Sequence, residues 1–164
     1  MYSMLRKERQ MSEEHTQKFL LEAKVGRLGL SHNDEPYVVP VLYVYDPEID
    51  VIYIHCAKKG RKIDVICANR KVCFEIDEFS GIVIADKPCE YDLIYRSVII
   101  FGEASFIYDS LRKADVLKKI MEKYTKTMND MPVTAKMAEG IQIIVIKILN
   151  KGGKENKGRI IPYP

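Results

Sequence analysis

The sequence contains no tryptophan, and its 3 histidines, 4 cysteines and net charge of only +3 each close off a class of function. With 26 basic residues against 23 acidic ones there is no broad positive footprint of the kind a dedicated nucleic-acid binder carries, so no nucleic acid is expected as a partner. Cys56, Cys67, Cys73 and Cys89 include no Cys-x-x-Cys pair and no zinc-finger spacing, and they read as reduced thiols, with Cys67 and Cys73 on buried faces. His55 and Cys56 are adjacent, but two ligands without a third nearby do not make a metal centre, and no metal is expected. No apolar run approaches the roughly 18 to 20 residues that span a bilayer, and MYSMLRKERQMSEE lacks the apolar stretch of a secretory signal. A soluble, cytoplasmic protein with no membrane partner is the expectation. No Ser/His/Asp or paired-carboxylate constellation stands out, so no catalytic triad or carboxylate pair is expected.

What is present is enough for one core. A chain of 164 residues, 47% of them hydrophobic, fits a single domain, read here as residues 1–149, followed by a Gly- and Lys-rich flexible tail over 150–164. Ser12 caps a short amphipathic helix that runs to about Lys24. Residues 25–30 and 36–45 read as two strands of a hairpin around His32-Asn33-Asp34, and residues 51–55 as the next strand. A helix over 61–68 leads to an alternating strand over 72–77, and a short strand is possible at 82–84. Residues 93–107 form a long apolar strand in which Gly102 marks a bulge or a close backbone approach. Ser110 caps a second long helix, the chain breaks around Asp130-Met131-Pro132, and a buried strand occupies 141–149. Six or so strands joined mostly by turns argue for a mainly β protein: an antiparallel sheet curled into a small barrel, with peripheral helices.

The most informative stretch is IYIHCAKKGRKIDVICA, residues 52–68. A strand ends, Lys58, Lys59, Arg61 and Lys62 surround Gly60, and Ile63, Ile66 and Cys67 recur at helical spacing. Free N–H groups at a helix start, the positive end of the helix dipole and four cations all favour a phosphate there. A solvated basic turn between strand and helix is the other reading, and the local sequence leaves both open.

This stretch resembles the phosphate-gripping segment of the pyridoxamine 5'-phosphate oxidase-like, FMN-binding split-barrel family, more closely its nitroimidazole-resistance branch. Three further blocks fit in the expected order: MLRKERQMSEE, VGRLGLSHNDEPYVVPVLYVYD and YRSVIIFGEASFI. The resemblance implies a six-stranded antiparallel split β-barrel, an FMN cofactor, and a homodimer with flavin sites at its interface. Carried over residue by residue, it implies that Arg61 and Lys62 hold the FMN phosphate while Gly60 lets the backbone come close. His55, Cys56 and Ala57 then sit where the strand end meets the flavin, and Val39, Pro40, Val41 and Leu42 run beside its ring. Because Pro40 has no N–H, a gap in its strand ladder is expected. Tyr95, Arg96 and Ser97 complete the site, from the partner subunit if not from their own; a surface ion pair for Arg96 and a plain strand hydroxyl for Ser97 stay open.

A lone histidine on an apolar strand such as His55 reads as hydrogen-bonded packing, but it also lies close enough to the cations to face cofactor or substrate, and in that reading it is the candidate catalytic proton donor. The activity implied is an FMN-dependent reduction of a small oxidised substrate such as a nitroaromatic, with NAD(P)H as a possible electron donor. The absence of tryptophan and of a C-terminal Trp/Arg segment argues against vitamin B6 oxidation. Two rivals remain: a non-catalytic flavin, deazaflavin or haem binder of the same fold, and a small basic barrel that stacks single-stranded nucleic acid on Tyr43, Tyr45 and Tyr53.

Overall fold

The computed structural model describes residues 5–125 and 132–158. Seven strands are present: β1 (Gly26–His32), β2 (Glu35–Val41), β3 (Val44–Asp46), β4 (Val51–Ala57), β5 (Lys71–Val83), β6 (Asp92–Ile107) and β7 (Ile141–Asn156). They form one antiparallel sheet in the order β2-β1-β5-β6-β7-β4-β3. The helices are α1 (Glu13–Glu22), α2 (Arg61–Ala68), α3 (Ser110–Tyr124) and the single turn α4 (Ala135–Ala138).

The sheet rolls around one core. If it were flat, β5 and β3 would lie roughly 19 Å apart, four strand spacings. Tyr43, immediately before β3, instead meets Phe74 of β5 edge to face with ring centroids 5.0 Å apart. Leu28 and Leu30, Phe74 and Ile76, Val98 and Ile100, Ile144 and Ile146, and Ile52 and Ile54 all enter that shared core, each spaced by two along its strand. α1 adds Phe19 and Leu20, and α2 adds Ile66. The roll is not closed, because β2 and β3 remain unpaired with each other. A second, smaller cluster fills the outer side of β4 and β7, where Val51, Tyr53 and Ile143 pack beneath Val116 and Ile120 of α3.

Seven strands replace the six expected because residues 36–45 are not one strand. At Tyr43 the backbone N–H donates to the Tyr124 hydroxyl (3.0 Å), not to a ladder, and its own hydroxyl donates to the Leu20 carbonyl (2.7 Å). These contacts pull the buried ring inward and break the run into β2 and β3. The short strand at 82–84 is the end of β5, which continues past a register shift between Phe79 and Gly81.

The expected tail also needs correcting: residues 150–156 continue β7 and pair with residues 95–101 of β6. Gly153 serves proximity there, not flexibility. A Cβ at that position would collide with Thr16 and Met11, and the Gly153 carbonyl accepts from the Met11 N–H at 3.0 Å. Residues 159–164 lie outside the described residues, as do Asp130 and Met131 of the expected break. Gly102 sits at the β6 bulge, with the Lys147 carbonyl 2.5 Å from where its Cβ would be, as its place in an apolar run predicted. Ser12 caps α1, accepting from the His15 N–H, whereas α3 is capped by Asp109, one residue before the expected Ser110. Cys67 is exposed, not packed.

Candidate functional site

β4 delivers the chain to Lys58-Lys59-Gly60, and α2 begins at Arg61. Gly60 is the N-cap, at φ 127° and ψ 166°, a region essentially reserved for glycine, and no side chain caps the helix start. Nothing lies within 4 Å of where a Cβ would be, so the backbone there is open to a ligand. The Gly60 carbonyl takes the N–H groups of Ile63 (2.8 Å) and Asp64 (3.2 Å). An uncapped helix start beside cations is a physical basis for anion binding.

Arg61 is exposed and folds back onto β2. Its Nη2 donates to Glu35 Oε1 at 2.6 Å, and its guanidinium lies over the Tyr37 ring, 4.8 Å from the centroid. Lys62, next along, is half-buried and close enough to His55 and Cys56 for its charge to act on both. Burial first, then the Lys62 ammonium, lowers the His55 pKa below that of an ordinary imidazole, so the ring is neutral at neutral pH. Burial pushes the Cys56 thiol up despite Lys62, which keeps it protonated. His55 Nδ1 is buried with no hydrogen-bond partner, an orphaned polar atom directly beside the basic loop. The residues of this corner fit a phosphorylated flavin: two cations, an open glycine backbone, and an unsatisfied imidazole nitrogen.

Val39 and Val41 turn toward the core, opposite Leu28 and Gly26, while Pro40 and Leu42 are exposed. The expected gap at Pro40 does not interrupt the ladder, since the β1–β2 register runs unbroken through Pro40, opposite Arg27. β2 is an edge strand, where the missing N–H of Pro36 or Pro40 costs least. Ala57 closes β4, exposed and opposite Ile141.

Tyr95, Arg96 and Ser97 lie elsewhere. Ser97 pairs with Lys154 of β7, and His55 pairs with Ile143 of the same strand. Eleven residues of extended chain separate those two partners, on the order of 30 Å. Arg96 turns toward α1, over the Phe19 ring (4.4 Å) and paired with Glu78 and Glu22. Tyr95 and Ser97 alternate with the core residues Ile94 and Val98 and therefore share the opposite face.

That outer face is apolar in places. The register places Val38, Gly29, Cys73 and Phe101 in one row across β2, β1, β5 and β6, with Ile99 in the next row, and Val38 and Phe101 are 64% and 55% exposed. A cleft of about 300 Å³ beside Phe19, Arg27, Glu78 and Arg96, and another of about 340 Å³ beside Ile66, Cys67, Arg70 and Tyr108, include neither Arg61, Lys62 nor His55.

Glu35 and Tyr37 were not visible as site residues, since only the hairpin register carries them to Arg61. Tyr43, Tyr45 and Tyr53 are all buried, which removes the stacking platform of a nucleic-acid reading. Among the described residues no three His, Cys, Asp or Glu side chains group as metal ligands, and no helix is long and apolar enough to cross a membrane.

The family model described as pyridoxamine 5'-phosphate oxidase matches residues 12–149. The chain belongs to that family. The resemblance in the sequence blocks and the split-barrel expectation both hold for this pyridoxamine 5'-phosphate oxidase family member. An uncharacterized protein of Rhizobium meliloti (strain 1021) is 33% identical over 74 residues, 44% of this chain and 46% of that protein, so the match spans about half the relative's length. Among solved structures, a putative 5-nitroimidazole antibiotic resistance protein from Bacteroides thetaiotaomicron shares 24% identity, covering 88% of this chain and 85% of that one, at TM-score 0.74. The flavocytochrome Anf3 from Azotobacter vinelandii (22% identity, 99% and 76% covered, TM-score 0.83) and the FAD and heme binding protein from Mycobacterium smegmatis (18%, 94% and 77%, TM-score 0.82) share the fold.

Proposed function

We propose that this chain is a cytoplasmic flavoprotein that binds FMN and reduces a small oxidised substrate, such as a nitroaromatic, with electrons from NAD(P)H. The observation that carries the reading is the corner where Gly60, Arg61 and Lys62 open α2 beside the unpartnered His55 Nδ1. Family membership and the fold shared with a nitroimidazole resistance protein support the substrate class. When bound, the flavin supplies the two-electron redox chemistry. Arg61 and Lys62 hold its phosphate, with the N–H groups of the α2 start turned to the same anion. His55, neutral at neutral pH, offers Nδ1 as a hydrogen-bond acceptor and serves as proton donor only through the minor protonated form.

The working unit is a homodimer. Tyr95 and Ser97 cannot reach the Arg61 corner of their own chain across some 30 Å of strand. They do share a face with the exposed Ile99, Phe101 and Val38, a surface suited to a second copy.

Purified protein is expected to be yellow, with a flavin spectrum. Removing two charge-assisted phosphate contacts by Arg61→Ala with Lys62→Ala should weaken FMN at least about a hundredfold. Unchanged flavin occupancy in that double variant overturns the assigned grip. The second reading, a flavin or haem binder without turnover, is favoured by the shared fold of the flavocytochrome and the FAD and heme binding protein. A Soret band, or a flavin spectrum with no nitroaromatic-dependent oxidation of NAD(P)H, decides for it.

A further inference from the structure

Glu35 and Arg61 are 26 residues apart in sequence, and each stands at the start of its element, β2 and α2 respectively. The turn before β2 holds Asn33 and Asp34 at φ 51° and 61°, the tight hairpin geometry that fixes where Glu35 emerges. Tyr37, two residues on and packed against the core, supplies the ring under the Arg61 guanidinium. One strand thus holds Arg61 at two points: the Tyr37 ring lies beneath the guanidinium, and the Glu35 carboxylate accepts from its Nη2.

We infer that Glu35 is a specificity-determining residue of this site, which competes with phosphate for Arg61 and so sets how strongly a phosphorylated ligand is preferred. This rests on the phosphate-holding role proposed for Arg61. Carboxylate and phosphate oxygens use the same in-plane donors of a guanidinium, so the two anions exclude each other at that edge. The Glu35 and Arg61 side chains are 71% and 53% exposed, which makes their pair a weak one that phosphate can displace. No acidic side chain among the described residues pairs with Lys62, so the competition acts through Arg61 alone.

The test is a fluorescence titration of the full chain with FMN and with riboflavin, which has the same ring and no phosphate. Glu35→Gln is expected to tighten FMN about two- to fivefold, the scale of an exposed ion pair, and to leave riboflavin unchanged. In the Arg61→Ala background the same Glu35→Gln change should do nothing for FMN. An equal gain with and without Arg61 reduces Glu35 to a distant repulsive charge and overturns the inference, as does no gain in a protein that does prefer FMN. Equal affinity of the wild type for FMN and riboflavin is a different failure: it overturns the phosphate grip itself, and the inference with it.

Discussion

The Lys123 ammonium lies 3.5 Å from the centroid of the Tyr43 ring, and its only hydrogen bond among the described residues is a long one, 3.4 Å, to the Leu20 carbonyl near the end of α1. No carboxylate among the described residues pairs with it. Burial lowers its pKa to about 7, with Lys24 contributing in the same direction. The unfolded chain holds that proton up to the ordinary lysine range, so between about pH 7 and 10.5 it binds more protons than the folded one, and stability rises with pH across that window. Below pH 7 both states are protonated and the full penalty applies. Lys123→Met should therefore raise the melting temperature most at pH 6, and the gain over wild type should shrink by pH 9. A pH-independent difference would show that Lys123 is charged and unpenalised.

His55 should titrate below an ordinary histidine when followed by NMR of the imidazole carbons. Because burial is the larger cause and Lys62 the smaller, Lys62→Ala should return only part of the shift. The linkage has a definite sign: the unfolded imidazole takes a proton at higher pH than the folded one, so His55 contributes a loss of stability as pH falls through about 6.5. His55→Gln should flatten that limb of the stability curve.

Two glycines should respond differently to alanine. At Gly60 there is open space, so Gly60→Ala carries only backbone strain, about 1 to 3 kcal/mol for this conformation. At Gly102 the obstacle is the Lys147 backbone at 2.5 Å, which must shift, so Gly102→Ala should cost more in urea unfolding. The reverse order would mean that the β6 bulge can relax.

Much of this fold was legible because local chemistry and tertiary structure agree. The Ser12 cap and the basic loop opening α2 each follow from residues whose neighbours in sequence are also their partners in space, and Gly102 is marked by being a glycine inside an apolar run, although the backbone it approaches is that of Lys147. The misreadings occur where a long-range contact overrides local composition. Residues 36–45 read as one strand, and the contacts that break them at Tyr43 come from Tyr124, 81 residues away, and from Leu20, 23 residues away. Residues 150–156 look like a solvated tail, yet Gly153 is there to pass beneath Met11 and Thr16. The corner reads in sequence as a phosphate cradle or a solvated basic turn, and Glu35 and Tyr37 reach Arg61 only through the β1–β2 register.

The separation of Ser97 from His55 gives the sharpest test of the proposed dimer. If each flavin takes Arg61 and Lys62 from one chain and Ser97 from the other, then the Arg61→Ala, Lys62→Ala double variant and a Ser97→Trp variant should each lose FMN as homodimers. Co-refolding the two in equal amounts makes half of the dimers mixed. In a mixed dimer one site carries both lesions, while the other carries neither, because its cations come from the Ser97→Trp chain and its Ser97 from the chain lacking the cations. Occupancy should recover to about a quarter of wild type, as a two-fold symmetric pair requires. If both groups belonged to one chain, mixing would restore nothing. Phe101→Lys, placed on the exposed row of the outer face, should lower the sedimentation mass to that of a monomer and release FMN with Arg61 and Lys62 intact. A monomeric variant that keeps its flavin would put the whole site within one chain and exclude a shared interface.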